Sequence, residues 1–354
     1  MENVLQTIIK EAIYAPSGDN EQPWRFEIYL KELRIDVYNL PERDQTLYNF
    51  KQRGSYVAHG ALIENISIVA SNYELEANIK LFPVQENREL VCQINFKKLQ
   101  DTKKDKLYQF IRERKTNRKV FKVEPINDLQ REQLHASFNT NWAGLKIIED
   151  SYTRKKVAEA LSSNERLLLE NRVIHDFLFA NIRWSETEER EKKRGLYAKT
   201  LELKPPQLAV FSFCRSWVVS KILCSLGLSK IMAKDTSTLY ANSPLIGAVV
   251  ISDDKDESFI NGGRAIQRLW LTTTALGLSF QPVTGLPYLW QRLAAGDNSS
   301  FTNKQVILIE KAYRVIDSIF NLDSKIIAMS FRIGKADKPS ASSSRLDPMI
   351  VINN

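Results

Sequence analysis

An internal repeat constrains the fold more than any other feature of this 354-residue sequence. The segment that starts at Gly60, GALIENISIVASNYELEANI, aligns with the segment that starts at Gly263, GRAIQRLWLTTTALGLSFQP, at a constant offset of 203 residues. Ile63 coincides with Ile266, and each segment follows a polar loop and precedes an extended stretch. A few identities could also arise by chance. The shared order of elements favours two related halves, which suits a chain long enough for two domains of ~100–200 residues.

Hydrophobic periodicity predicts an α+β protein in which each half is an antiparallel sheet packed by helices. The predicted helices are 1–15, 59–77, 106–114, 125–138, 262–280 and most of 151–240. The predicted strands are 24–30, 33–40, the hairpin 78–96, 145–150, 245–253 and 325–334. The polar connector Lys98–Asp105 is interpreted as the boundary, or seam, between the two halves. It gives a first half of 1–105 and a second half of 106–354, the latter with a helical insertion at about 151–240.

The composition narrows the class of protein. Hydrophobic residues make up 43% and charged residues 26%, which excludes disorder as the main state. The net charge of +8 suits an anionic partner, but acidic residues interrupt the basic clusters, as in EEREKKR (188–194), so no nucleic-acid partner is expected. Three cysteines form neither a disulfide framework nor a metal-ligand spacing. A reducing, cytoplasmic setting is therefore expected.

The most apolar stretch is LAVFSFCRSWVVSKILCSLGL (208–228). Arg215 and Lys221 interrupt it, so it falls short of a membrane span and is predicted to be a buried or groove-covering helix. The N-terminal segment has no basic region before a long apolar run, which argues against a signal peptide. We expect no membrane partner.

The sharpest local motif is APSGDNEQPWRF (15–26), a helix end followed by a polar turn and the start of a strand. Ser17 and Asn20 offer short side chains for hydrogen bonds, and Gly18 lets the backbone approach a ligand closely. From the residues alone, an ordinary helix C-cap and turn is the favoured interpretation.

This motif resembles the APSxxNxQPW segment of the nitroreductase family of FMN-dependent flavoproteins. Three further segments resemble that family in turn. RKTNRKVF (114–121) is similar to its RRSxRxF segment. GRAIQRLWLTTTALGLSFQPVTG (263–285) is similar to the helix and loop beside its flavin. FRIGKADKP with SSSR (342–345) is similar to its closing strand and arginine.

The order of the motifs departs from the ordinary family member, in which the arginine segment comes first. Two subunits share each flavin in that family, so the resemblance implies two subunits fused into one chain. The second half's counterpart of the loop, HASFNTNWAGLKII (135–148), has lost the Pro-Ser-Gly signature. We therefore expect one FMN site per chain, a degenerate twin, and a monomer that mimics a dimer. Fused relatives of this kind include flavin-sequestering proteins.

The resemblance implies eleven cofactor-binding residues. The phosphate ligands are Arg114, Thr116 and Arg345. The contacts from the first half are Pro16, Ser17, Gly18, Asn20 and Gln22. Arg118 serves the flavin N1–C2=O edge, and the backbone of Thr284 and Gly285 lies near N5. Family members often carry a glutamate where this chain has Thr284, so only a backbone contact carries over.

Purely structural interpretations of these residues are also open. Arg114 and Arg118 lie four apart and could be one solvated helix face, and Arg345 could belong to a flexible tail. His59, His135 and His175 show no metal-ligand spacing, so no metal is expected.

The implied function is that of an FMN-dependent oxidoreductase, in which NAD(P)H or the substrate reduces bound FMN and a small organic acceptor reoxidises it. No catalytic side chain is expected beyond the flavin. Two alternatives stay open. One is an FMN storage or sequestration protein, and the other is a flavin dehydrogenase of a natural-product pathway. The insertion is hypothesised to cover the flavin and restrict substrate entry.

Overall fold

A computed structural model describes residues 1–99, 104–138 and 140–354. Within these ranges the helices are α1 (Glu2–Ala12), α2 (Arg53–Ser71), α3 (Asp128–Ala136), α4 (Ser151–Glu170), α5 (Arg172–Asn181), α6 (Glu186–Lys192), α7 (Pro205–Phe213), α8 (Trp217–Ser225), α9 (Leu228–Ala241), α10 (Asp256–Ala275), α11 (Gly285–Ala294) and α12 (Asn303–Phe320). The strands are β1 (Trp24–Tyr29), β2 (Arg34–Asn39), β3 (Leu75–Leu81), β4 (Leu90–Lys98), β5 (Ala143–Ile148), β6 (Ile182–Arg183), β7 (Leu196–Tyr197), β8 (Leu245–Ile251), β9 (Ser279–Pro282), β10 (Ile326–Gly334) and β11 (Ile350–Asn353).

Two antiparallel sheets with the same strand order organise the chain. The first runs β1-β2-β4-β3 and the second runs β5-β8-β10-β9. Every neighbouring pair in these two series is antiparallel. The C-terminal β11 extends the first sheet by pairing in parallel with β1. The predicted α+β class is confirmed.

Helices α2 and α10 cross at the two glycines that the repeat aligns. A Cβ atom at Gly60 would lie 2.0 Å from the backbone oxygen of Ile260, and one at Gly263 would lie 2.1 Å from that of Val57. Val57 and Ile260 are themselves separated by the offset of 203, so the two contacts are reciprocal. Because a side chain at either glycine would meet backbone, only glycine allows this approach.

Polar contacts beside the crossing follow the same reciprocal pattern. Arg268 donates from Nη2 to Oε1 of Glu64 at 2.6 Å, and Gln267 donates from Nε2 to Oδ1 of Asn65 at 2.7 Å. The offset of 203 relates Glu64 to Gln267 and Asn65 to Arg268. The two pairs are thus images of each other, which makes the α2–α10 contact locally two-fold in character.

The segment predicted as an insertion connects two strands of the second sheet at the place in the strand order where a short turn connects two strands of the first. Strands β1 and β2 are joined by residues 30–33, whereas their counterparts β5 and β8 are joined by residues 149–244. Helix α4 packs its apolar side chains, among them Val157 and Leu161, against β8. Helices α5, α7 and α8 build a smaller apolar cluster of their own around Phe179 and Phe211.

Several predicted elements differ from the structure. Helix α2 begins six residues before the predicted start and is buried on nearly all sides. The predicted helix 106–114 is only a 3₁₀ turn at Lys106–Phe110. Helices α11 and α12 and strand β11 were not predicted. Part of the seam at 98–105 lies outside the described residues.

The apolar stretch 208–228 is not one buried helix, so that prediction is wrong. It forms α7 and α8, which meet at a bend of 115°. Phe211, Cys214 and Ser220 are buried, while Phe213, Val218 and Leu226 are exposed. The break follows from Arg215 and Ser216, because charged and hydroxyl side chains disfavour a continuous buried helix here.

Candidate functional site

A cleft of about 300 Å³ lies between the loop after α1, the segment before α3 and the C-terminal tail. Nine of the eleven predicted cofactor-binding residues line it. They are Pro16, Ser17, Gly18, Asn20, Arg114, Thr116, Arg118, Thr284 and Arg345. Residues from both halves therefore meet at one place, across the α2–α10 crossing.

Arg114 is a buried cation that pairs with no carboxylate in the part of the chain that the structure describes. Its exposed fraction is 5%, and Nη2 donates to the backbone oxygen of Tyr14 at 3.0 Å. The guanidinium carbon lies 4.3 Å from the ring centre of Trp270. Its Nε is buried with no hydrogen-bond partner among the described residues. Burial, and then repulsion from Arg345, lowers the pKa of Arg114 to about 9. The cleft thus presents an unsatisfied donor on a costly positive charge.

Arg345 is a second cation held mainly by neutral oxygens. Its Nε donates to the backbone oxygen of Ile13 at 3.1 Å, and its Nη1 donates to Oδ1 of Asn20 at 2.8 Å. Burial lowers the pKa of Arg345 to about 10. Among the residues that the structure describes, neither Arg345 nor Arg114 forms an ion pair. Two guanidinium groups that repel each other beside a cleft are suited to an anion.

Arg118 faces a different environment. Its Nη1 donates to the backbone oxygen of Thr200 at 3.1 Å. Burial lowers the pKa of Arg118, and the charges of Asp19 and Glu165 oppose that shift. Burial also raises the pKa of Asp19, and it raises that of Glu165 to about 7. Arg118 therefore lies at the end of the cleft that is nearer to the carboxyl groups of Asp19 and Glu165.

The loop after α1 has an uncommon backbone. Asp19, Asn20 and Gln22 adopt φ values of 45°, 59° and 52°, which few residues other than glycine adopt. Ser17 accepts a hydrogen bond at Oγ from the backbone N–H of Gln22 at 3.0 Å, which closes the loop on itself. A backbone of this kind persists only where its surroundings fix it, and such segments concentrate at functional sites.

Gln22 and Gly285, two of the predicted ligands, lie outside the cleft lining. Gln22 is buried and accepts at Oε1 from the backbone N–H of Leu346 at 2.8 Å, while its Nε2 donates to the backbone oxygen of Lys193 at 2.8 Å. A Cβ atom at Gly285 would lie 2.4 Å from the side chain of Asn164 on α4. Gln22 joins the loop to the tail and insertion, and Gly285 packs α11 on α4.

The insertion closes one side of the cleft through residues 189–202 rather than through its apolar helices. Leu196 and Thr200 line the cleft. Arg194 pairs with the buried carboxylate of Glu21. Glu189 accepts from the backbone N–H of Ser344, so the insertion also holds the tail.

Sequence reasoning missed most of the apolar lining. Val57, Ala58 and Ala61 of α2 face the cleft together with Trp270 of α10 and Tyr288 of α11. The repeat had marked α2 and α10, and small side chains near Gly60 were the available signal. Nothing in the sequence distinguished Leu196 or Thr200 within the insertion.

Metal-ligand clusters and membrane-spanning helices were both considered only for the residues that the structure describes. No group of three or more His, Cys, Asp and Glu side chains is placed to hold a metal ion. No single helix in the described part of the chain has the length and hydropathy needed to cross a membrane. Helices α7 and α8 together have that length and hydropathy, but a bend of 115° separates them.

Known proteins and solved structures with similarity to this chain include nitroreductases. No protein-family model matches the sequence. The chain is 24% identical over 320 residues to a probable NAD(P)H nitroreductase, PigM, of a Serratia strain. This similarity spans 86% of the chain and 87% of PigM, and it confirms the nitroreductase-like character that the motifs predict.

A second relative is much longer. The uncharacterized protein MT1398 of Mycobacterium tuberculosis is 23% identical over 287 residues, which is 81% of this chain but only 39% of MT1398. Solved structures with similar folds include a nitroreductase with bound FMN from Bacteroides fragilis. It has a TM-score of 0.36 and 8% identity, and the match covers 68% of this chain and 94% of that one.

NfnB of Mycobacterium smegmatis, solved with NADPH, has a TM-score of 0.36 and 14% identity, and covers 65% of this chain and 86% of its own. At scores this low, the likeness adds nothing to what the cleft residues indicate.

Proposed function

We propose that this protein is an FMN-dependent oxidoreductase with one FMN site per chain, in the cleft between the two halves. The observation that carries the proposal is the pair Arg114 and Arg345. Among the described residues neither forms an ion pair, and the buried Nε of Arg114 has no hydrogen-bond partner there. A phosphate dianion would satisfy that donor and relieve the repulsion between the guanidinium groups.

The remainder of the lining suits the other parts of FMN. Val57, Ala58, Ala61 and Trp270 offer an apolar surface for a flat aromatic ring. Ser17, Asn20 and Thr116 offer hydrogen-bonding groups for a ribityl chain. When bound, FMN supplies the two-electron chemistry, and the protein supplies position and electrostatics.

Arg118 would raise the redox potential of the flavin. A cation that faces the edge on which negative charge develops stabilises the reduced form. Its hydrogen bond to the backbone oxygen of Thr200 fixes its direction, and nearby Asp19 and Glu165 limit its net field. Arg118 is therefore a positioning and electrostatic residue rather than an acid or base.

The proposal of one site per chain is supported at the position that the repeat relates to the cleft. Ala61, which lines the cleft, has Arg264 as its counterpart at the offset of 203. Arg264 pairs with Glu64 at 3.1 Å, and its guanidinium carbon lies 4.7 Å from the ring centre of Trp142. A long, paired cation thus stands at the position where the cleft has the small side chain of Ala61, which disfavours a second flavin site there. Because both halves of the cleft come from one chain, we also propose a monomer.

We further propose NAD(P)H as electron donor and a small organic molecule as acceptor, which bind in turn. Support comes from the similarity to PigM, named as a probable NAD(P)H nitroreductase. The test is an anaerobic titration of the FMN-loaded protein with NADH and NADPH, followed by visible absorbance. Bleaching of the flavin by either nucleotide is the expected result. A flavin that neither nucleotide reduces would contradict this donor assignment.

A second candidate function is FMN storage, and the contacts around the tail favour it. Glu202 accepts two hydrogen bonds from Ser340, Glu189 accepts one from Ser344, and Arg345 bonds the loop. These contacts would retain a bound flavin. A flavin that is reduced by nucleotide but passes electrons to no acceptor other than oxygen, and that leaves the protein over hours, would favour storage over turnover.

A further inference from the structure

Helices α7, α8 and α9 expose large apolar side chains on the outside of the insertion. Phe213, Val218 and Ile222 are 66%, 65% and 56% exposed, and Leu226 and Ile231 are 77% and 57% exposed. Single exposed apolar residues are normal, but a group along consecutive helices marks an interaction surface. We call residues 204–234 the apolar–basic face.

The charge of this face has one sign. Between residues 204 and 234 the sequence has no Asp or Glu and five basic residues, which are Lys204, Arg215, Lys221, Lys230 and Lys234. All five are exposed. Lys230 lies four residues after Leu226 and directly before Ile231, so cations border the apolar side chains along the chain. This combination distinguishes the face from a contact between two apolar protein surfaces.

A groove of about 860 Å³ continues the basic character next to α9. Lys230 and Lys234 form one wall, Lys156 of α4 lies along it, and Lys311 of α12 forms the opposite wall. Within the described ranges none of these four lysines has an ion-pair partner. Glu159 also lines the groove, but the four lysines together with Arg166 and Arg314 outnumber it, so the groove would attract phosphate groups.

We propose that the apolar–basic face binds the surface of an anionic phospholipid bilayer. Phe213, Val218, Ile222, Leu226 and Ile231 would enter the headgroup and upper acyl region, while Lys230, Lys234 and Lys311 bind lipid phosphates. Amphipathic helices with bulky apolar side chains and flanking lysines bind membranes in this way. The 115° bend between α7 and α8 means that the two helices do not form one straight membrane span. The proposal departs from the expectation of no membrane partner and is independent of the flavin.

The test is flotation of the full chain with phosphatidylcholine vesicles, with and without phosphatidylglycerol. Binding only in the presence of phosphatidylglycerol, weakened by salt, is expected. Phe213→Ser with Leu226→Ser should abolish binding, and Lys230→Gln, Lys234→Gln and Lys311→Gln together should lower the partition coefficient by about a hundredfold.

Matched controls separate the face from general hydrophobicity and charge. Leu129→Ser changes an apolar side chain of α3 that is 63% exposed. Lys10→Gln, Lys31→Gln and Lys97→Gln together remove the same charge from exposed positions in the first half. Both controls should bind vesicles like the wild type, and circular dichroism should show that all variants are folded.

Three outcomes would overturn the proposal. The first is no binding to phosphatidylglycerol vesicles, including the case in which the chain binds heparin alone. The second is equal loss of binding in the control variants. The third is a dimer in light scattering that Phe213→Ser with Leu226→Ser converts to a monomer without vesicle binding by either form, which would assign the face to a contact between two copies.

Discussion

Arg114 is the side chain on which the proposed anion site depends most. Its buried Nε has no hydrogen-bond partner within the described ranges, and its guanidinium group lies beside the ring of Trp270. Arg114→Ala should weaken FMN binding by ~1.5–3 kcal/mol, the usual cost of a lost charged hydrogen bond, which is about 10- to 150-fold in Kd. Fluorescence titration of the apoprotein with FMN measures it.

A matched control lies two residues away. Arg112 also lines the cleft but is exposed and already pairs with Glu11 at 2.7 Å. Arg112→Ala should change the FMN Kd less than threefold, which is within the usual range for a surface ion pair. Equal effects of the two substitutions would contradict the assignment of Arg114 as phosphate ligand.

The position proposed for Arg118 predicts an effect on the redox potential of the flavin rather than on the affinity for FMN. Removal of a cation disfavours the reduced, more negative flavin, so Arg118→Ala should lower the midpoint potential, by ~30–60 mV if the interaction is worth about 1.4–2.8 kcal/mol. Arg118→Lys keeps the charge and should recover part of the shift. Dye-equilibrated reduction measures both. A potential that is unchanged in Arg118→Ala would show that this side chain does not face the flavin edge.

At the scale of elements, the crossing of α2 and α10 depends on Gly263. Its Cβ would lie 2.1 Å from the backbone oxygen of Val57, which cannot move aside as a side chain can. Gly263→Ala should destabilise the protein by ~3 kcal/mol or more, despite the better helix propensity of alanine. Thermal and urea unfolding of wild type and variant provide the measurement.

The neighbouring glycine serves as control on the same helix. A Cβ at Gly262 would lie 3.1 Å from side-chain carbons of Ala328 and Ile251, which is tight but adjustable. Gly262→Ala should lower the free energy of unfolding clearly less than Gly263→Ala does. A larger cost at Gly262 would mean that the crossing is not set by the aligned glycines.

The loop after β2 makes a prediction about pH. Burial, and then the negative charge of Asp19, raises the pKa of Asp44 to about 7. A carboxyl whose pKa is raised on folding contributes stability that is present below pH ~4 and is lost as the pH rises to about 7. As the pH rises over this range, the Tm of the wild type should therefore fall relative to that of Asp44→Asn. Above this range the difference between the two Tm values should stay constant. Glu42→Gln, an exposed carboxyl of the same loop, controls for charge. A difference independent of pH would contradict the burial argument.

The sequence allowed the class of fold to be predicted, and nine of the eleven residues that it indicated line one cleft, for a physical reason. Strand alternation and the repeat are local or periodic signals, and the arginine, PSGDN and tail motifs are short and recognisable. Gln22 shows the limit. Its motif position resembles a ligand, yet the structure uses it to join loop, tail and insertion. The exposure of Phe213 and Leu226 likewise depends on packing between distant segments, which hydropathy does not describe.

In the whole molecule, contacts between the C-terminal tail and the insertion close the proposed flavin site, and we expect them to limit the release of a bound flavin. Glu202 accepts from both the backbone N–H and Oγ of Ser340, at 2.6 and 2.7 Å. Glu202→Ala should increase the rate of FMN release severalfold, since two charged hydrogen bonds are lost. Stopped-flow dilution into excess apoflavodoxin as a flavin trap measures this rate. Glu186→Ala, which removes an exposed carboxylate of α6, should leave the rate unchanged. Equal rates in wild type and Glu202→Ala would show that the tail does not limit release.

The most direct test of the central claim is the number of FMN molecules bound per chain. The apoprotein is titrated with FMN to saturation, excess flavin is removed, and the flavin released on denaturation is counted against protein. One FMN per chain in the wild type, and marked loss in a variant with Arg114→Ala and Arg345→Ala together, is the predicted result. Two FMN per chain would contradict the single-site account, and no binding, or full binding by the double variant, would contradict the cleft as the flavin site.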